Sequence, residues 1–219
     1  MVMLNSNLGI AYFGVPKVAS SSVKHMLYTL EHGRPFDKAD HGGRHMHLVW
    51  PDKITRMPQD TPGLEGYRKI AIIRDPAKRV LSCYGNRIVD YGDLHKGRFA
   101  RTRAALLGLS MTPDLDTFIL RLGRYRLQSG EVRHHTDPYS RFLGPDLSFF
   151  DRVYRIEEMD VLERDLEARA GQPVTRFEEK ADGTKFSLDD LGDAAFEALL
   201  RYTRPDYELL KDHYSPPKR

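Results

Sequence analysis

The order of apolar runs predicts an α/β fold, with a central parallel β-sheet flanked by helices in three layers. Three runs carry that prediction, at residues 8–14, 69–73 and 153–156, each short, apolar and without a helical period. A stretch with helical spacing follows each one, at 23–30, 80–89 and 159–169, and the first two junctions are turns that contain proline. Strand, loop and helix repeated in this way suit parallel pairing, which needs a long crossover before each new strand.

The first run, Leu8-Gly9-Ile10-Ala11-Tyr12-Phe13-Gly14, ends in glycine and reads as a buried strand. The second is Lys69-Ile70-Ala71-Ile72-Ile73 and the third Val153-Tyr154-Arg155-Ile156. In the helix expected at 159–169, Leu162 and Leu166 stand four apart and share a face. Further helices are expected at 115–128, 188–202 and 206–213, while 33–66 reads as a long irregular crossover. There is no repeat and no low-complexity tract, so residues 1–219 are expected to form one domain, with 215–219 as a frayed tail.

Composition narrows the class of protein. The chain has 219 residues, 40% hydrophobic and 30% charged, enough apolar content for a real core. Its formal charge of +3 is too small for coating nucleic acid, but it does not repel an anionic ligand. No apolar run approaches the roughly 18 to 20 residues of a membrane span, and the start does not read as a secretory signal. The single cysteine, Cys83, rules out an internal disulfide and a multi-cysteine zinc site. These features lead to the expectation of a soluble, cytoplasmic protein without a transmembrane segment or a nucleic-acid partner.

Ligands of open α/β sheets bind beyond the carboxyl ends of the strands, which directs attention to the first two loops. The first reads Pro16-Lys17-Val18-Ala19-Ser20-Ser21-Ser22, where serines at a helix start offer hydroxyls and unpaired N–H groups to an anion, and Lys17 adds positive charge. It is not a Walker A loop, because the glycines and the terminal Gly-Lys-Ser/Thr are missing. A plain serine-capped helix is the alternative. The second loop, Arg74-Asp75-Pro76-Ala77-Lys78-Arg79-Val80-Leu81-Ser82, puts an arginine fork at a strand end and a serine two turns into a helix, a pair suited to a second phosphate. Its alternative is a proline-started helix with solvated arginines.

Together these motifs resemble the sulfotransferases that use 3′-phosphoadenosine 5′-phosphosulfate (PAPS), closest to the carbohydrate (Golgi-type) branch. The resemblance implies a P-loop-like form of the α/β fold, with Lys17, Val18, Ala19, Ser20, Ser21 and Ser22 around the 5′-phosphosulfate, and Arg74 and Ser82 on the 3′-phosphate. Lys185, in a glycine-containing loop, is a further cofactor residue by the same resemblance. His135-Thr136-Asp137-Pro138 is similar to an element of that branch, which puts His135 near the acceptor or the cofactor and makes it a candidate acceptor contact. Two separated basic loops also account for PAPS rather than ATP, since a 3′-phosphate needs its own pocket. A sulfuryl group carries less charge than a phosphoryl group, so no metal is expected, and no acidic cluster is evident.

The implied reaction is in-line transfer of the sulfuryl group to an acceptor hydroxyl or amine, leaving 3′,5′-adenosine bisphosphate. Lys17 would stabilise the leaving phosphate. For the base, the branch's catalytic histidine falls in a segment resembling residues 44–50, which selects His47, with His45 next to it as a second choice or acceptor contact. Were that segment extended, the two would share a face, leaving a metal pair or solvated histidines as alternatives. Glu157 and Glu158 stay open because part of the wider family uses glutamate. The acceptor, whether a glycan, a lipid headgroup or a small metabolite, is not readable. A nucleotide kinase and a non-catalytic anion-binding module are the competing functions.

Overall fold

A computed structural model describes residues 2–49, 57–97, 100–177 and 183–219, with only the backbone of His47 and Leu48. In chain order the elements are β1 (Val2–Asn5), β2 (Ile10–Phe13), α1 (Ser20–His32), α2 (Met46–Val49), β3 (Arg68–Ile73), α3 (Pro76–Cys83), α4 (Ala100–Leu107) and α5 (Leu115–Leu120). They continue with α6 (Leu122–Gln128), α7 (Gly130–Thr136), α8 (Ser140–Leu143), β4 (Arg152–Arg155), α9 (Met159–Ala170) and α10 (Asp193–Leu209). The chain divides into two compact units, Met1–Arg74 with Tyr139–Ala181, and Asp75–Pro138 with Asp182–Arg219.

The first unit holds the sheet, in the order β1-β2-β3-β4. All three expected strands are present, with β2 parallel to β3 and β3 parallel to β4. The sheet is mixed rather than wholly parallel, because β1 pairs antiparallel with β2. Ile10, Ala11, Tyr12 and Phe13 are buried one after another, as are Ile70, Ala71, Ile72 and Ile73. Successive strand side chains point to opposite faces, so both faces of these strands are covered, as the helix-flanked α/β class requires. Helix α1 buries Val23, Met26, Leu27 and Leu30, an i, i+3, i+4, i+7 stripe. Each is worth roughly 1.5–3 kcal/mol of transfer free energy. Helix α9 buries Met159, Leu162 and Leu166. Buried Asn5 joins strand to helix, donating from Nδ2 to Leu27 O at 2.9 Å and accepting from Leu8 N at 2.8 Å.

The second unit is helical, and its core includes Val80, Phe118, Leu122, Tyr125 and Leu199. The helix expected at 115–128 is two helices, because Arg121 leaves helical backbone at φ −115° and ψ 18°. Its guanidinium donates to Gly108 O at 2.5 Å. The break expected before Pro205 is absent, since α10 runs through it. Phe196, Leu199, Thr203 and Tyr207 are buried along α10, and that burial outweighs the ~3 kcal/mol cost of an interior proline. Residues 214–219 are irregular, yet Arg219 donates to Leu191 O at 2.7 Å and its guanidinium lies 5.4 Å from the Phe196 ring centre. Among the described residues, no helix is long and apolar enough to cross a membrane.

Candidate active site

Strands β2 and β3 run parallel, with Phe13 opposite Ala71, so the loops that follow them leave the same edge of the sheet. In the β2 loop, buried Val15 and Val18 anchor the chain, while Lys17, Ser20, Ser21 and Ser22 keep partial exposure. Lys17 and Ala19 have left-handed backbone, φ 69° and 62°, the only non-glycine residues among those described to do so. Each costs roughly 1–2 kcal/mol in that conformation, and such strain gathers at functional sites. Left-handed positions beside a helix start belong to the backbone arrangements whose N–H groups can converge on an anion. Ala19 is the N-cap of α1; no side chain caps the helix and no acidic residue occupies its first turn. The end of the 13-residue helix therefore presents its N–H groups and positive dipole to the loop.

Arg74 belongs to the same place. Its Nη1 donates to Lys17 O at 3.4 Å, and both its backbone groups bond to one phenol. Arg74 N donates to Tyr139 Oη, and that hydroxyl donates to Arg74 O, each at 2.9 Å. Tyr139 is fully buried. Sequence reasoning missed it, although it directly follows the Pro138 already singled out.

Most of the remaining second motif, in the helical unit, holds itself together. Asp75 caps α3, accepting from Lys78 N at Oδ1 and from the Tyr207 hydroxyl at Oδ2, both at 2.9 Å. Burial first, and then the Asp75 charge, push the Tyr207 phenol above its ordinary pKa. Pro76 occupies the first turn of α3. Arg79 is completely buried, donating to Asp137 O at 2.5 Å and pairing with Asp206 at 3.5 Å. Arg126 binds the carboxylate of that Asp137 at 2.7 Å. The solvated arginines of the bland reading thus do not include Arg79. Ser82 is half-buried on α3, and Lys185 is exposed beside Thr184, which bonds to Asp90.

The histidines spread out. Residues 46–49 form a helical turn closed by Val49 N donating to His45 O at 3.2 Å, so the condition of an extended segment is not met there. The backbone of His47 lies in that turn, and its side chain lies outside the described residues. His45 is exposed, its Nε2 3.3 Å from Lys38 Nζ. His41 Nε2 stands 3.0 Å from the Tyr28 hydroxyl. His135 is on α7 in the second unit, with Nδ1 2.8 Å from Glu131 O. The Arg155 N–H bond holds the Glu158 carboxyl below its usual range and makes it a poorer base. Among the described residues, no cluster of three or more His, Cys, Asp or Glu could hold a metal ion.

Sheet, strained loop and capless helix together define an α/β protein with an uncapped helix start at the end of a central strand. The sulfotransferase family model matches residues 1–190, and the chain belongs to the sulfotransferase family, whose chemistry joins a sulfonate donor to an acceptor. No curated protein and no solved structure matches it.

Proposed function

We propose that the protein transfers a sulfuryl group from PAPS to an acceptor hydroxyl or amine, with a carbohydrate as the preferred acceptor class, in the cytoplasm. The observation that carries this reading is the left-handed pair Lys17 and Ala19 at the uncapped start of α1, joined to Arg74 through Lys17 O. The fit is chemical: an N–H concavity and a lysine suit the 5′-phosphosulfate, and an arginine beside them suits the 3′-phosphate. Ser82 and Lys185, in the second unit, are assigned to the same donor on the sequence resemblance.

The donor supplies the sulfuryl group and a phosphate leaving group; the residues do the rest. Residues 17–22 and Arg74 hold the anionic ends and set the line of attack. Lys17 offsets the charge that grows on the leaving oxygen. His47 takes the acceptor proton as the new O–S or N–S bond forms, with His45 or His135 contacting the acceptor. Thermal shift tests the donor. 3′,5′-Adenosine bisphosphate without magnesium should raise the melting temperature; stabilisation by ATP with magnesium and none by the bisphosphate would support a kinase instead. Labelled PAPS offered to a panel of glycans, lipids and small metabolites then finds the acceptor.

A further inference from the structure

Among the described residues, the three most exposed large apolar side chains are Leu106 at 82%, Leu127 at 70% and Leu120 at 53%, and they lie on the neighbouring helices α4, α6 and α5 of the helical unit. Leucines exposed singly are ordinary on a protein surface, but a group of them on one set of helices marks an interaction surface. Three arginines stitch α4 to α6. Arg121 Nη1 donates to Gly108 O at 2.5 Å, Arg124 Nη1 to Leu107 O at 3.2 Å and Arg103 Nη1 to Gln128 O at 3.2 Å, an order of partners that makes the two helices antiparallel. A guanidinium has five N–H donors, and each of these bonds uses one. Arg103 shares a face of α4 with Leu106 and Leu107, and Arg124 shares one of α6 with Leu127, at i, i+3 or i, i+4 spacing. Leu120, Arg121, Gly123 and Arg124 line a shallow hollow of about 310 Å³. The core draws on Ala104, Leu122 and Tyr125 of the same helices, so none of the three exposed leucines is spent on packing.

Charge decides what these helices fit. Residues 100–113 and 117–130 contain five arginines and no aspartate or glutamate. Arg126 is committed to Asp137, while Arg101, Arg103, Arg121 and Arg124 are exposed. The flanking carboxylates are engaged elsewhere: Asp114 and Asp116, at the start of α5, accept from Thr117 N and Gly192 N, and Glu131 pairs with Arg87. A second copy of the chain, docked about a twofold axis, would set arginines against arginines. A purely polar acidic ligand would answer the arginines and leave the leucines in water. A bilayer with anionic headgroups answers both, since its phosphates accept from guanidinium groups and its acyl boundary takes up aliphatic side chains. We propose that α4, α5 and α6 dock the protein on the surface of an anionic phospholipid bilayer, with Leu106, Leu120 and Leu127 entering the interface and the arginines on the headgroups. The surface uses none of the residues assigned to the donor, so it stands or falls independently of the donor reading.

The test is co-sedimentation of the full chain with vesicles of phosphatidylcholine, alone or mixed with phosphatidylserine. The mixed vesicles should carry the protein down and the neutral ones should hold it far more weakly, and added salt should release it by screening the headgroup charge. Leu106→Ser combined with Leu127→Ser should weaken binding about tenfold or more and leave the melting temperature unchanged, because both side chains face solvent. Arg121→Gln combined with Arg124→Gln should weaken it about 30-fold, roughly fivefold for each charge removed. Arg121→Lys combined with Arg124→Lys, which keeps both charges, should retain most of the binding and so separate a headgroup contact from the capping of α4. Wild-type binding in the leucine pair, or equal binding to neutral and anionic vesicles, would overturn the proposal. So would a dimer that the leucine pair dissolves, seen in sedimentation equilibrium, which gives the surface to a second copy. Capture by polyglutamate without any binding to vesicles would overturn it too, in favour of an acidic protein partner.

Discussion

The loops after β2 and β3 look alike in sequence, each a strand end with a proline, cations and serines before a helix, but they are built differently. The first is strained and open: Lys17 and Ala19 are left-handed, and α1 begins without a side-chain cap. The second is relaxed and closed: Asp75 caps α3, Tyr207 seals the cap, and Arg79 is buried against Asp137 and Asp206. A helix start left uncapped is available to a ligand, whereas a capped one has used its donors on the protein. Arg74, which shares a unit with the first loop, donates from Nη1 to Lys17 O.

If this contrast is right, the largest effect on turnover comes from the open loop. Lys17→Ala should lower kcat about 10²–10³-fold, with the melting temperature near that of the wild type. The closed loop should behave in the opposite way. Arg79→Met leaves Asp206 buried without its cation and should cost about 3–5 kcal/mol in urea unfolding. Arg74→Ala, one strand end away, should weaken 3′,5′-adenosine bisphosphate about tenfold with little change in the urea midpoint. Equal stability losses for Arg74→Ala and Arg79→Met would erase the distinction between a ligand arginine and a structural one.

What the sequence revealed follows the same divide. Apolar runs exposed β2 and β3, because strands buried on both faces have no polar alternation to confuse the reading, while β4, with Tyr154 its one buried residue, was found from the strand–helix order. Strand β1 was missed; four residues in a hairpin with β2 carry little signal. The first loop was legible as a helix start, since its serines open α1, whereas the left-handed backbone at Lys17 and Ala19 left no sign in the residue types. Arg79 was not legible, since burial depends on Asp137 and Asp206, which are 58 and 127 residues away. Tyr139 was hidden for the same reason, being 65 residues from the backbone it clamps. Gly85 left a trace, a glycine inside an otherwise helical pattern, and the reason for it appears only when Thr184 is seen above it.

The smallest effect tests the seal on the second loop. The Tyr207 hydroxyl donates to Asp75 and is buried, so folding favours its neutral form and raises its pKa. A group with a raised folded pKa contributes stability that is complete below its unfolded value, near 10 for tyrosine, and is lost as pH rises through the folded one. The urea midpoint should therefore hold to about pH 10 and fall above it. Tyr207→Phe should cost about 1 kcal/mol at pH 8 and flatten part of the alkaline fall. Tyr154, raised by burial and by its bond to Asp165, has the same sign and should supply a share of what remains. The first loop holds no such tyrosine, so affinity for 3′,5′-adenosine bisphosphate measured between pH 8 and 9.5, roughly below that transition, should not follow the Tyr207 substitution. A parallel loss of nucleotide affinity in Tyr207→Phe over that range would show that the closed loop also serves the ligand.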